Sequence, residues 1–181
     1  TGFGTYFLTD GLLSVWHTEY VGRDGAGAFY QTGGAHTIAC GGLVLASGVG
    51  STGAYSLDAG TLTVNCGMTV GDAGSGAFSM TAGTVRLGGL TLADEFDSDG
   101  AFSLFDGTLK VGGSEVVADK GLGSFEQFGG THTICGNLTL SNDAAATGSF
   151  ALLGGTLIVG GNEVIGQYGT AAFVQAAGTH E

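Results

Sequence analysis

The chain has 181 residues, 38 of them glycine and none proline, with 4 Lys or Arg against 16 Asp or Glu and a net charge of −12. At 43% hydrophobic residues it is too apolar to be disordered and long enough for one domain or a run of repeats. The acidic balance argues against nucleic-acid binding and docking on anionic lipid. The glycines follow no G-X-Y period, and no apolar run is long enough to insert across a membrane.

Taken in chain order, a pattern close to G-x-Y/F-x-L/Q-x-x-G-T-L/H-x-V/I recurs eight times. The first unit centres on Tyr6, followed by Leu8 and Leu13, then Glu19. The second, FYQTGGAHTI, centres on Phe29 and places Gln31 and His36 at the two leucine positions. The third has Tyr55, Leu57 and Leu62, then Met68; the fourth has Phe78, Met80 and Val85. The fifth has Phe102, Leu104 and Leu109, then Glu115; the sixth has Phe125, Gln127 and His132. The seventh has Phe150, Leu152 and Leu157, then Glu163; the eighth has Phe173, Gln175 and His180. Successive aromatics are spaced 23, 26, 23, 24, 23, 25 and 23 residues apart.

Each unit contains three short stretches of period-two alternation, separated by Gly, Asp, Ser and Asn turns, and no helical periodicity or capping pattern intervenes. A three-strand unit of this length is one coil of a solenoid. The expected architecture is all-β: a parallel, right-handed, three-sided β-helix. Its eight coils of about 24 residues would alternate in pairs, with residues 1–181 forming a single solenoid. Stacked at the inter-strand spacing, eight coils make a rod roughly 38 Å long. A β-propeller is the alternative, since two units together approach the length of a blade. The aromatics are expected to stack as a ladder of offset rings in the core.

The alternation of units exposes a pattern invisible in any one of them. Glu19, Gln31 and His36 form a set, with the Glu 12 residues before the Gln and 17 before the His. Glu115, Gln127 and His132 repeat that spacing, as do Glu163, Gln175 and His180. Met68, Met80 and Val85 occupy the same spacing with no polar member. The three residues are therefore kept or replaced together. All fall where other coils place inward apolar residues, where a lone Glu or His would carry a large desolvation cost. This predicts buried structural triads in which Gln bonds the Glu, the His or both, and which fix coil register. A catalytic or metal role for the Glu–His pair is the competing reading. A reaction centre copied three times along one rod is a poor fit, so no catalytic residue and no enzyme activity are expected.

Asp94, Glu95, Asp97 and Asp99 lie in the stretch DEFDSDGAFSLFD, which partly matches a calcium loop and makes calcium the one candidate cofactor. Phe102 is needed in the aromatic ladder, which conflicts with EF-hand geometry. Cys40 and Cys66 sit eleven residues after their aromatics in adjacent coils, close enough for a disulfide. Asn137 opens the sequon Asn137-Leu138-Thr139, a candidate outward-facing glycosylation site. The remaining acids gather at turns, so the clustered strand carboxylates of a polysaccharide-degrading β-helix are not evident. A threonine column runs through Thr61, Thr84, Thr108, Thr131, Thr156 and Thr179, but its neighbouring column contains Arg86, Lys110 and Ile158, which spoil a flat ice-binding array.

The motifs GTLTV, GGTHTI and VGG-x-E, with their alternating units, resemble the repeat arrays of large secreted bacterial β-solenoid proteins. The nearest types are autotransporter passengers and filamentous adhesins. That resemblance implies export to the cell surface or beyond, and a structural role as fibre, filament or adhesin stalk with a glycan or surface ligand. It carries over no catalytic residue. A carbohydrate-binding or polysaccharide-degrading β-helix is the alternative. Neither end reads as a cap, and an open coil end is an unpaired sheet edge. The expectation is a segment of a longer solenoid, or one subunit of a filament that self-associates end to end.

Overall fold

The computed structural model describes residues 2–181. Its strands form three parallel sheets, two of eight strands and one of seven, and every neighbour within a sheet belongs to the adjacent coil. Coil 1 comprises Phe3–Leu8, Leu12–Val15 and Glu19–Val21. Coil 2 repeats the set as Ala26–Gln31, Ala35–Ile38 and Leu43–Leu45. The series ends in coil 8 with Thr170–Gln175 and Thr179–His180. Over the described residues this is a three-sided β-solenoid without helices, and the propeller alternative is excluded because the sheets run along the stack instead of radiating from an axis.

The register follows the repeat residue for residue. Tyr6 pairs with Phe29, Phe29 with Tyr55, and Tyr55 with Phe78. The column continues through Phe102, Phe125 and Phe150 to Phe173. Adjacent rings in it stack with centroids 4.5 to 5.1 Å apart. Such pairs contribute about 0.5–1.5 kcal/mol each beyond the area they bury. Alternate residues point inward on every side, so Leu45, Leu57, Val70, Leu92, Leu109 and Leu140 are fully enclosed.

Two corners position the polar side chains discussed below. Between the first and second strands of each coil lies a glycine with φ between +66° and +98°, at Gly11, Gly34, Gly60, Gly83, Gly107, Gly130, Gly155 and Gly178. That conformation is strained for any residue with a Cβ. A Cβ at Gly60 would also lie 2.4 Å from the Gly34 carbonyl oxygen of the coil below. The residue directly after the third strand is left-handed as well, and is Ala46, Ala93, Ala118 or Ser141 in four of the coils. The next residue starts the corner, giving a column of Ser47, Asp72, Asp94, Asp119 and Asn142.

Candidate functional site

The polar sets identified by spacing are stacked inside the rod. Gln31 and His36 are fully enclosed, and the Glu19 side chain retains 17% exposure. The His36 ring lies flat on Phe29, with centroids 4.9 Å apart. Its Nε2 meets Glu19 Oε2 at 2.8 Å, across the boundary between coils 1 and 2. Gln31 does not bond either partner directly, contrary to the expectation. Its Nε2 donates to the carbonyls of Gly34 at 3.2 Å and Thr61 at 3.1 Å, which fixes the amide orientation.

The link is Tyr55, a member of the aromatic ladder in coil 3. Its hydroxyl donates to Gln31 Oε1 at 2.6 Å and lies 3.0 Å from His36 Nδ1. The hydroxyl has one proton, given to Gln31, so it accepts from His36 Nδ1–H. A directed chain results, running from the His36 ring through Tyr55 and Gln31 to two backbone carbonyls. The set is thus a tetrad spanning three coils. Burial, with the Glu19 charge adding to it, pushes the Tyr55 phenol far above its ordinary range. It stays protonated and serves only as a hydrogen-bond relay. The sequence carried a signal for it, since Tyr6 and Tyr55 are the only tyrosines in an otherwise phenylalanine column.

The second set repeats the scaffold without the relay. Glu115, Gln127 and His132 are all fully enclosed, and His132 stacks on Phe125 at 4.8 Å. Gln127 Nε2 donates to the Thr156 carbonyl at 3.0 Å. The ladder residue above is Phe150, which has no hydroxyl. His132 Nδ1 and Gln127 Oε1 accordingly have no hydrogen-bond partner. His132 Nε2 lies 2.9 Å from Glu115 Oε2, yet the two are not aligned as a hydrogen bond and both are unpartnered. The contact is an ion-pair distance with poor hydrogen-bond geometry.

The third set lies on coil 8. His180 Nε2 contacts Glu163, and Gln175 Nε2 donates to the Gly178 carbonyl at 3.1 Å. Here the expected burial is not found: Glu163 retains 31% exposure and His180 21%. The apolar counterpart, Met68, Met80 and Val85, is fully packed in coils 3 and 4.

The other candidates are dispersed. Glu95 pairs with Lys120 at 3.0 Å, while Asp97 is exposed on the loop that follows and Asp99 is exposed at the start of the next strand, Asp99–Leu104. Among the described residues no group of three or more His, Cys, Asp or Glu side chains converges as a metal site, so Asp94, Glu95, Asp97 and Asp99 are not brought to one point. Asp94 instead joins the corner column. Ser47 Oγ donates to Asp72 at 3.0 Å and Asn142 Nδ2 to Asp119 at 2.6 Å, leaving Asp94 between two carboxylates without a side-chain donor. Burial, then Asp119 and Asp72, raise its pKa above the ordinary 3.8, with Lys120 opposing. Cys40, Cys66 and Cys135 are free and exposed, so the expected Cys40–Cys66 bridge is not formed here; the Cys66 thiol instead faces the Cys40 carbonyl at 3.5 Å. Asn137 is exposed, with its Oδ1 accepting from the Asn162 amide at 2.9 Å.

Comparison with known proteins finds no match among family models, curated proteins or solved structures.

Proposed function

We propose that this chain is a structural β-solenoid of the cell surface or extracellular space, forming a fibre, filament or adhesin stalk, and that it is not an enzyme. One observation carries the reading. The side chains with catalytic chemistry, Glu and His, face inward and pair across coils: Glu115 and His132 are wholly enclosed 2.9 Å apart, and His36 is enclosed 2.8 Å from Glu19, which keeps 17% exposure. They hold coils together. The resemblance of the repeat motifs to secreted solenoid arrays supports export, and the net charge of −12 suits a rod exposed to water and cations.

A carbohydrate-binding rod is the second reading. It is favoured by stacked aromatic pairs on the outer surface, Phe7 with Tyr30 at 5.1 Å and Phe105 with Phe128 at 4.8 Å. Negative-stain imaging of the native material, together with glycan-array binding and polysaccharide digestion, separates the two. Thin fibres with an axial repeat and no glycan turnover are expected. Compact monomers that cleave an acidic polysaccharide would sink the structural reading.

A further inference from the structure

The links that join each third strand to the next coil alternate in length. They are four residues long at 71–74 and 118–121, and six at 46–51, 93–98 and 141–146. Each longer link closes a turn on its own backbone. The Ser51 amide donates to the Gly48 carbonyl at 2.9 Å, Ser98 to Glu95 at 3.3 Å and Ala146 to Asp143 at 3.1 Å. In the first two, the hydroxyl of the buried serine donates to the same carbonyl, at 2.7 and 2.6 Å. The two residues at each tip are exposed and stand out as a stiff ridge: Val49 and Gly50, Phe96 and Asp97, Ala144 and Ala145. Ridges recur every second coil, roughly 9.6 Å apart at the inter-strand spacing.

Two open grooves lie between the three ridges, with volumes of about 340 and 350 Å³. Both fall within the range of small-ligand sites. The first is floored by Ala73, Gly74 and Ser75, the second by Lys120, Gly121 and Leu122. Phe96, Asp97 and Asp99 line both. Phe96 is 57% exposed and, among the described residues, stacks on no other aromatic. The outer pair Phe105 and Phe128 differs, because each of those rings covers a face of the other. Lys120, held by Glu95 at 3.0 Å, puts its ammonium 5.9 Å from the centre of the Phe96 ring and gives the second groove a donor. Asp97 has φ of +61°, where the sister turn has Gly50 at +72°. The turn needs no carboxylate, so the carboxylate is what Asp97 adds.

This lining selects among ligands. A free aromatic face packs against the CH face of a sugar ring, and carboxylates, which only accept, take hydrogen bonds from its hydroxyls. The floors are built from small residues and backbone, so they offer little depth to an apolar ligand. A net charge of −12 repels an acidic polymer. The two-coil step is close to the length of two pyranose units in an extended chain, which would present the same groups to successive grooves.

We propose that the two grooves bind a neutral, extended oligosaccharide running along the rod, with Phe96 as the stacking platform and Asp97 and Asp99 as hydroxyl acceptors. The inference rests on the second reading above, a carbohydrate-binding rod, and gives it a site and a ligand class. It is compatible with a fibre.

The test titrates the 181-residue chain with cello- and chito-oligosaccharides of increasing length by calorimetry, with oligogalacturonate and chitosan oligomers as acidic and cationic comparators. Affinity for a neutral series should rise until the chain crosses Phe96 and fills both grooves, then level off, and it should be nearly indifferent to salt. Phe96→Ala should weaken binding about five- to tenfold, the equivalent of one aromatic contact, and leave the melting curve unchanged. Phe96→Trp should keep the binding. Asp97→Gly preserves the turn, as Gly50 does, and should weaken binding several-fold. Phe105→Ala with Phe128→Ala, at the opposite end of the same strands, should have no effect. A neutral glycan bound equally well by Phe96→Ala would overturn the groove and leave the carbohydrate reading standing. No binding to any oligosaccharide would overturn both. Binding confined to the cationic oligomers and abolished by salt would overturn the ligand class, because charge alone would then account for it.

Discussion

The networks of coils 1–3 and coils 5–7 share a scaffold and differ by one oxygen. Around Tyr55, His36 Nδ1 and Gln31 Oε1 both have partners. Around Phe150, the equivalent atoms of His132 and Gln127 have none, and the Glu115 contact is misaligned. The difference teaches where the cost of a buried polar set lies. Three polar side chains can sit in the core of a solenoid, but a fourth residue, one coil further on, decides whether they are satisfied. The rod is therefore expected to open first around coils 5–7, and hydrogen exchange should be faster for the amides of 127–150 than for those of 31–55.

The harshest way to break the comparison is to strand one partner. Glu115→Leu leaves His132 enclosed without its counter-group, at a cost of about 3–5 kcal/mol, or a fall in Tm of about 10 °C for a chain of this size. Glu19→Leu should cost less, because Glu19 keeps contact with water. The triple change Glu115→Met, Gln127→Met, His132→Val copies the packed set at Met68, Met80 and Val85. It should recover the loss and match or exceed the wild-type Tm in thermal unfolding followed by circular dichroism. A triple variant as unstable as Glu115→Leu would show that the polar set contributes more than its pairing.

The finer test exchanges the ladder residues. Tyr55→Phe removes the relay and leaves two buried groups unpartnered, for an expected loss of about 1–3 kcal/mol. Phe150→Tyr should recover a similar but smaller amount at the second network, since the Glu115 contact remains poorly aligned. The double variant should move the site of earliest hydrogen exchange from coils 5–7 to coils 1–3. If Phe150→Tyr is neutral or destabilising, the hydroxyl is not what the second network lacks.

How much of this was legible in the sequence depends on whether a feature repeats. The ring column, the strand register and the joint replacement of Glu, Gln and His all recur at a fixed period, so comparing coils within one chain exposes them. The role of Tyr55 occurs once. Its hydroxyl is one atom on a residue that the ladder already explains as core, and only the geometry shows it between Gln31 and His36. Calcium and the disulfide were proximity arguments. Sequence places acids on one loop and cysteines in adjacent coils, but side-chain direction decides the rest: Glu95 turns to Lys120, and the Cys66 thiol to a carbonyl.

The corner column offers the same contrast at the surface, where water changes its scale. Asp72 and Asp119 each receive a side-chain donor while Asp94, between them, receives none. Like His132, Asp94 lacks what its neighbours have, but it is only half-buried and water takes part of the load. Its raised pKa means that the folded chain holds the proton more tightly than the unfolded chain. The penalty is therefore present in full above the folded pKa. It fades as pH falls through that value, and is gone below the ordinary carboxylate value of 3.8. Asp94→Asn should raise Tm at pH 7 by about 1–2 °C, the scale of a screened surface interaction in a domain of this size. It should give no gain at pH 3, where the wild-type carboxyl is protonated in both states. An Asp94→Asn gain of the same size at pH 3 and pH 7 would mean that charge is not the cause. A gain comparable to that of Phe150→Tyr would mean that the corner is as sealed from water as the core.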